Sequence, residues 1–130
     1  MEVSEFIFTE LSNRGFDSKQ LESRIVFSKE AIEIHFVEQG FDGVDIYLKY
    51  EDHFVELDWT LLVYNKETTI KKVARNIGEK SLQQIESNMR NLLFKSGDFI
   101  IDLNYGLIRE FVEWYEEQSE SIYRRYLDSL

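Results

Sequence analysis

Apolar and polar residues alternate with two different periods along this chain, and the change of period divides it into three parts. From Met1 to Phe16, Val3, Phe6, Ile7, Glu10 and Leu11 follow the spacing of a helix with one apolar stripe. Ser4 can cap its start and Gly15 stands where it would stop, while Phe8 falls off the stripe. The next stretch has a period of two. Ile25 and Phe27 alternate with Val26 and Ser28, and Ile32, Ile34 and Phe36 with Glu33, His35 and Val37. Val44, Ile46, Leu48 and Tyr50 then alternate with Asp45, Tyr47 and Lys49, and Val55, Leu57 and Trp59 with Glu56, Asp58 and Thr60. A period of two puts each set on one face of a sheet. Turn residues separate the runs at Lys29-Glu30, at 39–43 and at Glu51-Asp52-His53, so the connections are hairpins.

Helical spacing returns in the third part. Ile70, Val73, Ala74 and Ile77 define one helix ended by Gly78, with a capping box at Ser81-Leu82-Gln83-Gln84. Leu82, Ile85, Met89, Leu92 and Leu93 continue a stripe to Gly97. Asp98 to Leu103 reads either as a short helical turn or as an extended link, and Leu107, Ile108, Phe111, Tyr115, Gln118 and Ile122 define a long last helix. Strands in one run and helices in another predict an α+β fold. It comprises an N-terminal helix, a four-stranded antiparallel meander and a C-terminal helical layer packed on one sheet face, in a single domain spanning 1–130. The other sheet face carries Glu33, His35, Asp45, Tyr47, Lys49, Glu56 and Asp58 and is expected to meet water or a partner.

Composition narrows the chemistry. In 130 residues there are 25 acids against 15 bases, a net charge of −10, which argues against nucleic acid as the main partner. Hydrophobic residues make up 43% and aromatics 15%, enough for a core and unlike a disordered acidic tail. With no Cys, disulfides, thiolate metal sites and a cysteine nucleophile are excluded. The longest apolar run is Leu61 to Tyr64, too short to span a bilayer. Met1-Glu2-Val3-Ser4-Glu5 has neither the basic start nor the apolar stretch of a secretory signal, so a cytoplasmic location is expected.

Charge is unevenly distributed. Residues 1–65 hold 14 acids and five bases, 66–95 three acids and seven bases, and 96–130 eight acids and three bases. The basic block reads as internal charge balance on solvated faces. The sharper reading is an acidic working face with a separately basic helical side.

No catalytic pattern stands out. There are two histidines, His35 and His53, whereas a catalytic zinc usually takes three protein ligands. A metal set of His35, Glu33 and Asp45 or Asp58 can be drawn, but the spacing does not demand it. A G-x-S-x-G elbow and a glycine-rich phosphate loop are both missing from the sequence. Among 25 acids some pair always lies at a suitable distance for glycoside chemistry, so paired carboxylates carry no information. No enzyme, cofactor or metal is expected.

Most aromatics will fill the core. Phe41, Tyr47, Trp114, Tyr123 and Tyr126 fall at loop, polar-face or stripe-edge positions. Exposed tyrosine and tryptophan in an acidic field suit a binding surface, and carboxylates around them speed encounter with a cationic partner. Candidate contacts are Asp45, Tyr47, Glu56 and Asp58 on the polar sheet face, with Glu51, Asp52 and His53 at its turn. Glu113, Glu116, Glu117 and Glu120 read as a solvated helix face.

From Glu22 to Asp98 the chain runs ESRIVFSKEAIEIHFVEQGFDGVDIYLKY, then EDHFVELDWTLLVYN, then two amphipathic helices ending in LLFKSGDF. In size, acidity and the order of strands and helices, this stretch resembles the small acidic immunity proteins found beside bacterial polymorphic or contact-dependent toxins. The resemblance implies a non-enzymatic protein that neutralises a cognate, basic toxin by occluding its active site. It transfers no functional residue. Two rivals remain open: a homo-oligomeric structural or regulatory module, for instance a homodimer, and an enzyme or small-ligand binder with a pocket around His35.

Overall fold

The structure, a computed structural model, describes residues 5–38, 44–57, 60–65 and 82–128. The expected helix over 70–77, its Gly78 stop and the capping box at Ser81 lie outside the described residues, as do Phe41 and Asp58.

Helix α1 (Glu5–Asn13) is followed by strands β1 (Asp17–Gln20), β2 (Arg24–Lys29), β3 (Ile32–Glu38), β4 (Val44–Tyr50) and β5 (His53–Glu56). Helix α2 (Thr60–Tyr64), helix α3 (Leu82–Asn91) continuing into a π-helical segment (Leu92–Ser96), the short α4 (Asp98–Ile101) and the long α5 (Tyr105–Asp128) complete the chain. The fold is α+β, with the strands in sequence order and every neighbouring pair antiparallel.

The sheet has five strands where the period predicted four. The additional strand is Asp17-Ser18-Lys19-Gln20, which has no apolar residue and is exposed at all four positions. It is held by backbone pairing to β2, with Asp17 opposite Ser28 and Gln20 opposite Ile25. A short, polar, charged strand suits a sheet edge, because it discourages pairing with another chain.

Register explains the core. Ile25 faces Phe36 and then Ile46, Phe27 faces Ile34, Leu48 and Val55, and Ile32 faces Tyr50. These rows form one apolar sheet face, closed by Ile7 and Leu11 of α1, Leu61 of α2, Leu92 and Leu93, Ile100 and Ile101, and Ile108, Phe111 and Val112 of α5. Each fully buried aliphatic or phenyl side chain contributes about 1.5–3 kcal/mol. Phe8 of α1 meets Phe27 of β2 edge-on at 5.5 Å, although its outer side is exposed. Tyr64, Phe99, Phe111 and Trp114 form an aromatic cluster joining α2, α4 and α5. No helix among the described residues is long and apolar enough to cross a membrane.

Two ends are set by local chemistry. After α1, Phe16 N–H donates to the Leu11 carbonyl and Gly15 N–H to that of Ser12, each at 3.0 Å, with Gly15 at φ +90°. This pair of bonds is a Schellman motif, and Phe16 tucks into the core as its apolar partner. Asn104 starts α5: its side-chain oxygen accepts from Leu107 N–H at 3.3 Å and its carbonyl from Ile108 N–H at 2.9 Å.

Candidate functional site

The polar sheet face is built by the same register that makes the core. One row crosses it as Asp17, Ser28, Glu33, Lys49 and Phe54, and a second as Lys19, Val26, His35, Tyr47 and Glu56. Arg24, Val37 and Asp45 form a third. At its centre Arg24 Nη1 donates to His35 Nδ1 at 3.1 Å, and His35 Nε2 donates to Glu33 Oε1 at 2.8 Å. A guanidinium only donates, so Nδ1 must hold the lone pair and Nε2 the proton. Lys49 Nζ lies 3.8 Å from the other oxygen of Glu33, and Phe54 meets the His35 ring edge-on at 5.3 Å.

This face is therefore close to charge-balanced: Asp17, Glu33, Asp45 and Glu56 stand among Lys19, Arg24 and Lys49. Asp45 is only 3% exposed and His35 6%, so neither offers much area to a partner. Tyr47 and Glu56 are half-buried, while Phe54, which pattern reading did not single out, is 47% exposed. Among the described residues no three His, Asp or Glu side chains group as a metal site.

The remaining candidates belong to a different place. Glu51 and Asp52 form the exposed two-residue turn between β4 and β5, and the turn lies against α5. His53 Nδ1 donates to Glu116 Oε1 at 2.8 Å. Two turns earlier on α5, Arg109 Nη2 donates to the Tyr50 hydroxyl at 3.2 Å, and Tyr50 stacks on Tyr105 with ring centres 6.2 Å apart. Between them lies a cleft of about 260 Å³ walled by Tyr50, Glu51, His53, Arg109, Val112 and Glu113. The hydrogen bond to Tyr50, with the charges of Glu51 and Glu113 around it, raises the pKa of Arg109. Beyond the cleft, Glu113, Glu116, Glu117 and Glu120 lie at i, i+3, i+4 and i+7 on α5, all exposed, which makes them one carboxylate stripe.

Tyr115 ties α5 to the edge strand. Burial, then the charges of Glu56 and Glu116, raise its pKa, partly offset by a hydrogen bond with the Glu56 backbone. The Thr60 hydroxyl donates to the Glu56 carbonyl.

The predicted contact set thus divides in two. Asp45, Tyr47 and Glu56 share the balanced sheet face, whereas Glu51 and His53 line the cleft against α5, with Asp52 next to them in the turn. The glutamates of α5 were visible in the sequence as a charged helix face, but their junction with the β4–β5 turn is a tertiary fact. The chain matches no protein-family model, no curated protein and no solved structure.

Proposed function

We propose that this chain is a non-enzymatic, cytoplasmic binding protein that neutralises a cognate basic toxin by covering its active site. The carrying observation is the joining of the Glu51-Asp52 turn to the Glu113–Glu120 stripe around a tyrosine-walled cleft. Carboxylates arranged this way attract a cationic surface from a distance and repel anionic competitors. Tyr105, half-buried and stacked on the buried Tyr50, supplies apolar area with a polar tip beside them, and tyrosine is a residue type enriched in binding hot spots. A toxin that cuts nucleic acid needs a basic cleft to grip phosphate, and an acidic ridge is complementary to such a cleft. The resemblance over Glu22 to Asp98 supports the same reading.

The test is co-expression with the toxin domain encoded immediately upstream in the native genome. Growth should be rescued, and the purified pair should bind more weakly as salt rises. The double substitution Glu113→Lys and Glu117→Lys should weaken binding by at least about tenfold at low salt. No rescue, or an unchanged affinity in the folded double variant, would overturn the proposal.

A further inference from the structure

On the side of the helical layer that covers β2, away from the acidic cleft, a groove of about 340 Å³ runs between α1 and the helix formed by α3 and the π-helical segment. Phe6 and Phe94 meet edge-on in its wall, with ring centres 6.2 Å apart. Each ring carries one guanidinium. Arg90 Cζ lies 3.7 Å from the centre of Phe6, and Arg14 Cζ lies 5.4 Å from that of Phe94.

The two arginines differ in what else they hold. Arg14 is engaged by Glu10 at 3.8 Å and by Asp102 at 3.2 Å. Among the described residues, Arg90 has only the Phe6 ring as a partner. Stacking uses the flat face of a guanidinium and leaves its in-plane N–H donors open, already oriented at low entropic cost. Ser87 and Asn91, exposed on the same helix, line the groove beside Arg90 and add neutral donors. In the sequence Arg90 belongs to the block 66–95, which holds seven bases against three acids and is opposite in net charge to the rest of the chain.

A planar fork of donors on an aromatic platform, flanked by a hydroxyl and an amide, is suited to an oxyanion. We infer that this groove binds the carboxylate or phosphate group of a small anionic ligand, held bidentately by Arg90 with Arg14 beside it. Glu10 is the competing internal anion: it occupies Arg14 and lowers the positive potential of the groove. The inference stands apart from toxin binding, since it uses different residues on a different side of the molecule.

Amide chemical shifts should be followed while inorganic phosphate or, separately, glutarate is added at constant ionic strength. The amides from Ser87 to Phe94 should shift saturably with at least one of them. Saturation by phosphate alone assigns a phosphate ligand, and saturation by glutarate a carboxylate. Arg90→Gln should weaken binding by about tenfold or more, and Glu10→Gln should strengthen it. Phe6→Leu, which keeps the charge but removes the platform, should also weaken it. Arg90 is exposed, so its variant should fold, and an unchanged spectrum away from the groove checks this. The inference is overturned if neither anion gives a saturable shift, or if Arg90→Gln binds as the native chain does.

Discussion

Arg24 and His35 sit opposite Val37 and Val26 on neighbouring strands, and their side chains meet at 3.1 Å on the face of the sheet away from the core. The contact fixes the imidazole in one tautomer, with the proton on Nε2 shared with Glu33. Nitrogen chemical shifts of His35 should show that tautomer at neutral pH; a proton on Nδ1 would contradict the arrangement. Arg24→Met leaves Nδ1 of a 6%-exposed ring without its donor. It should cost about 1–3 kcal/mol, read from the urea midpoint.

Gly15 and Gly97 are needed for opposite reasons. Gly15 has φ +90°, while an added Cβ would meet only the flexible end of Lys29, at 3.4 Å and beyond. Its constraint is the backbone angle. Gly15→Ala should cost about 1–2 kcal/mol, and Gly15→Asn less, because asparagine tolerates left-handed backbone. Gly97 has an ordinary φ of −106°, but a Cβ there would come within 3.1 Å of both the Leu92 carbonyl oxygen and Leu61. Gly97→Ala should cost about 1–3 kcal/mol through crowding, and Gly97→Asn should be worse, not better. The reversed order of alanine and asparagine at the two positions is the result to look for in thermal melts.

Both two-residue hairpins place a glutamate in left-handed backbone: Glu30 at φ 52° and Glu51 at φ 55°. Glu30 has compensation. Its carboxylate accepts from the Tyr105 hydroxyl at 3.1 Å, and that hydroxyl in turn accepts from Ala31 N–H at 3.3 Å. Glu51 lies exposed beside Arg109. Glu51→Asn should therefore stabilise the fold by about 0.5–1 kcal/mol, and Glu30→Asn by less or not at all. A stabilised Glu51→Asn variant that also binds the partner more weakly would mark Glu51 as a residue kept for charge at the expense of stability.

What could be read from the sequence follows where side chains alone decide the structure. Alternation at Ile32, Ile34 and Phe36 and from Val44 to Tyr50 specified both sheet faces, because a one-residue slip would expose the whole apolar set. Strand β1 gave no such signal: Asp17 to Gln20 is held by backbone pairing, which has no sequence period. The last helix was placed by its stripe, but its start at Tyr105 depends on the Asn104 cap, which a search for apolar spacing passes over. At the site, Glu51-Asp52-His53 was visible as an acidic turn. The union of that turn with Arg109, Glu113 and Glu116 depends on which face of α5 meets β5, and the groove at Arg90 depends on how α1 crosses α3.

Alkaline pH should find two tyrosines, Tyr64 packed against α5 and Tyr115 on it. Burial, then the nearby charge of Glu110, raises the pKa of Tyr64 above the usual 10.0. Tyr115 is raised by burial and then by Glu56 and Glu116. In the unfolded chain both would ionise at the ordinary value, so above about pH 10 the folded state binds more protons than the unfolded one. Their contribution to stability is complete below that pH and is lost as pH rises through the folded values. Ring-carbon chemical shifts of Tyr64 and Tyr115 should place the ionisation of both above the ordinary tyrosine value. Urea midpoints should fall steadily through the same range. Tyr115→Phe removes one of the two groups, and it should flatten that fall while leaving the neutral-pH midpoint close to native. A variant whose alkaline slope matches the native protein would show that Tyr115 ionises as freely in the folded chain as in the unfolded one.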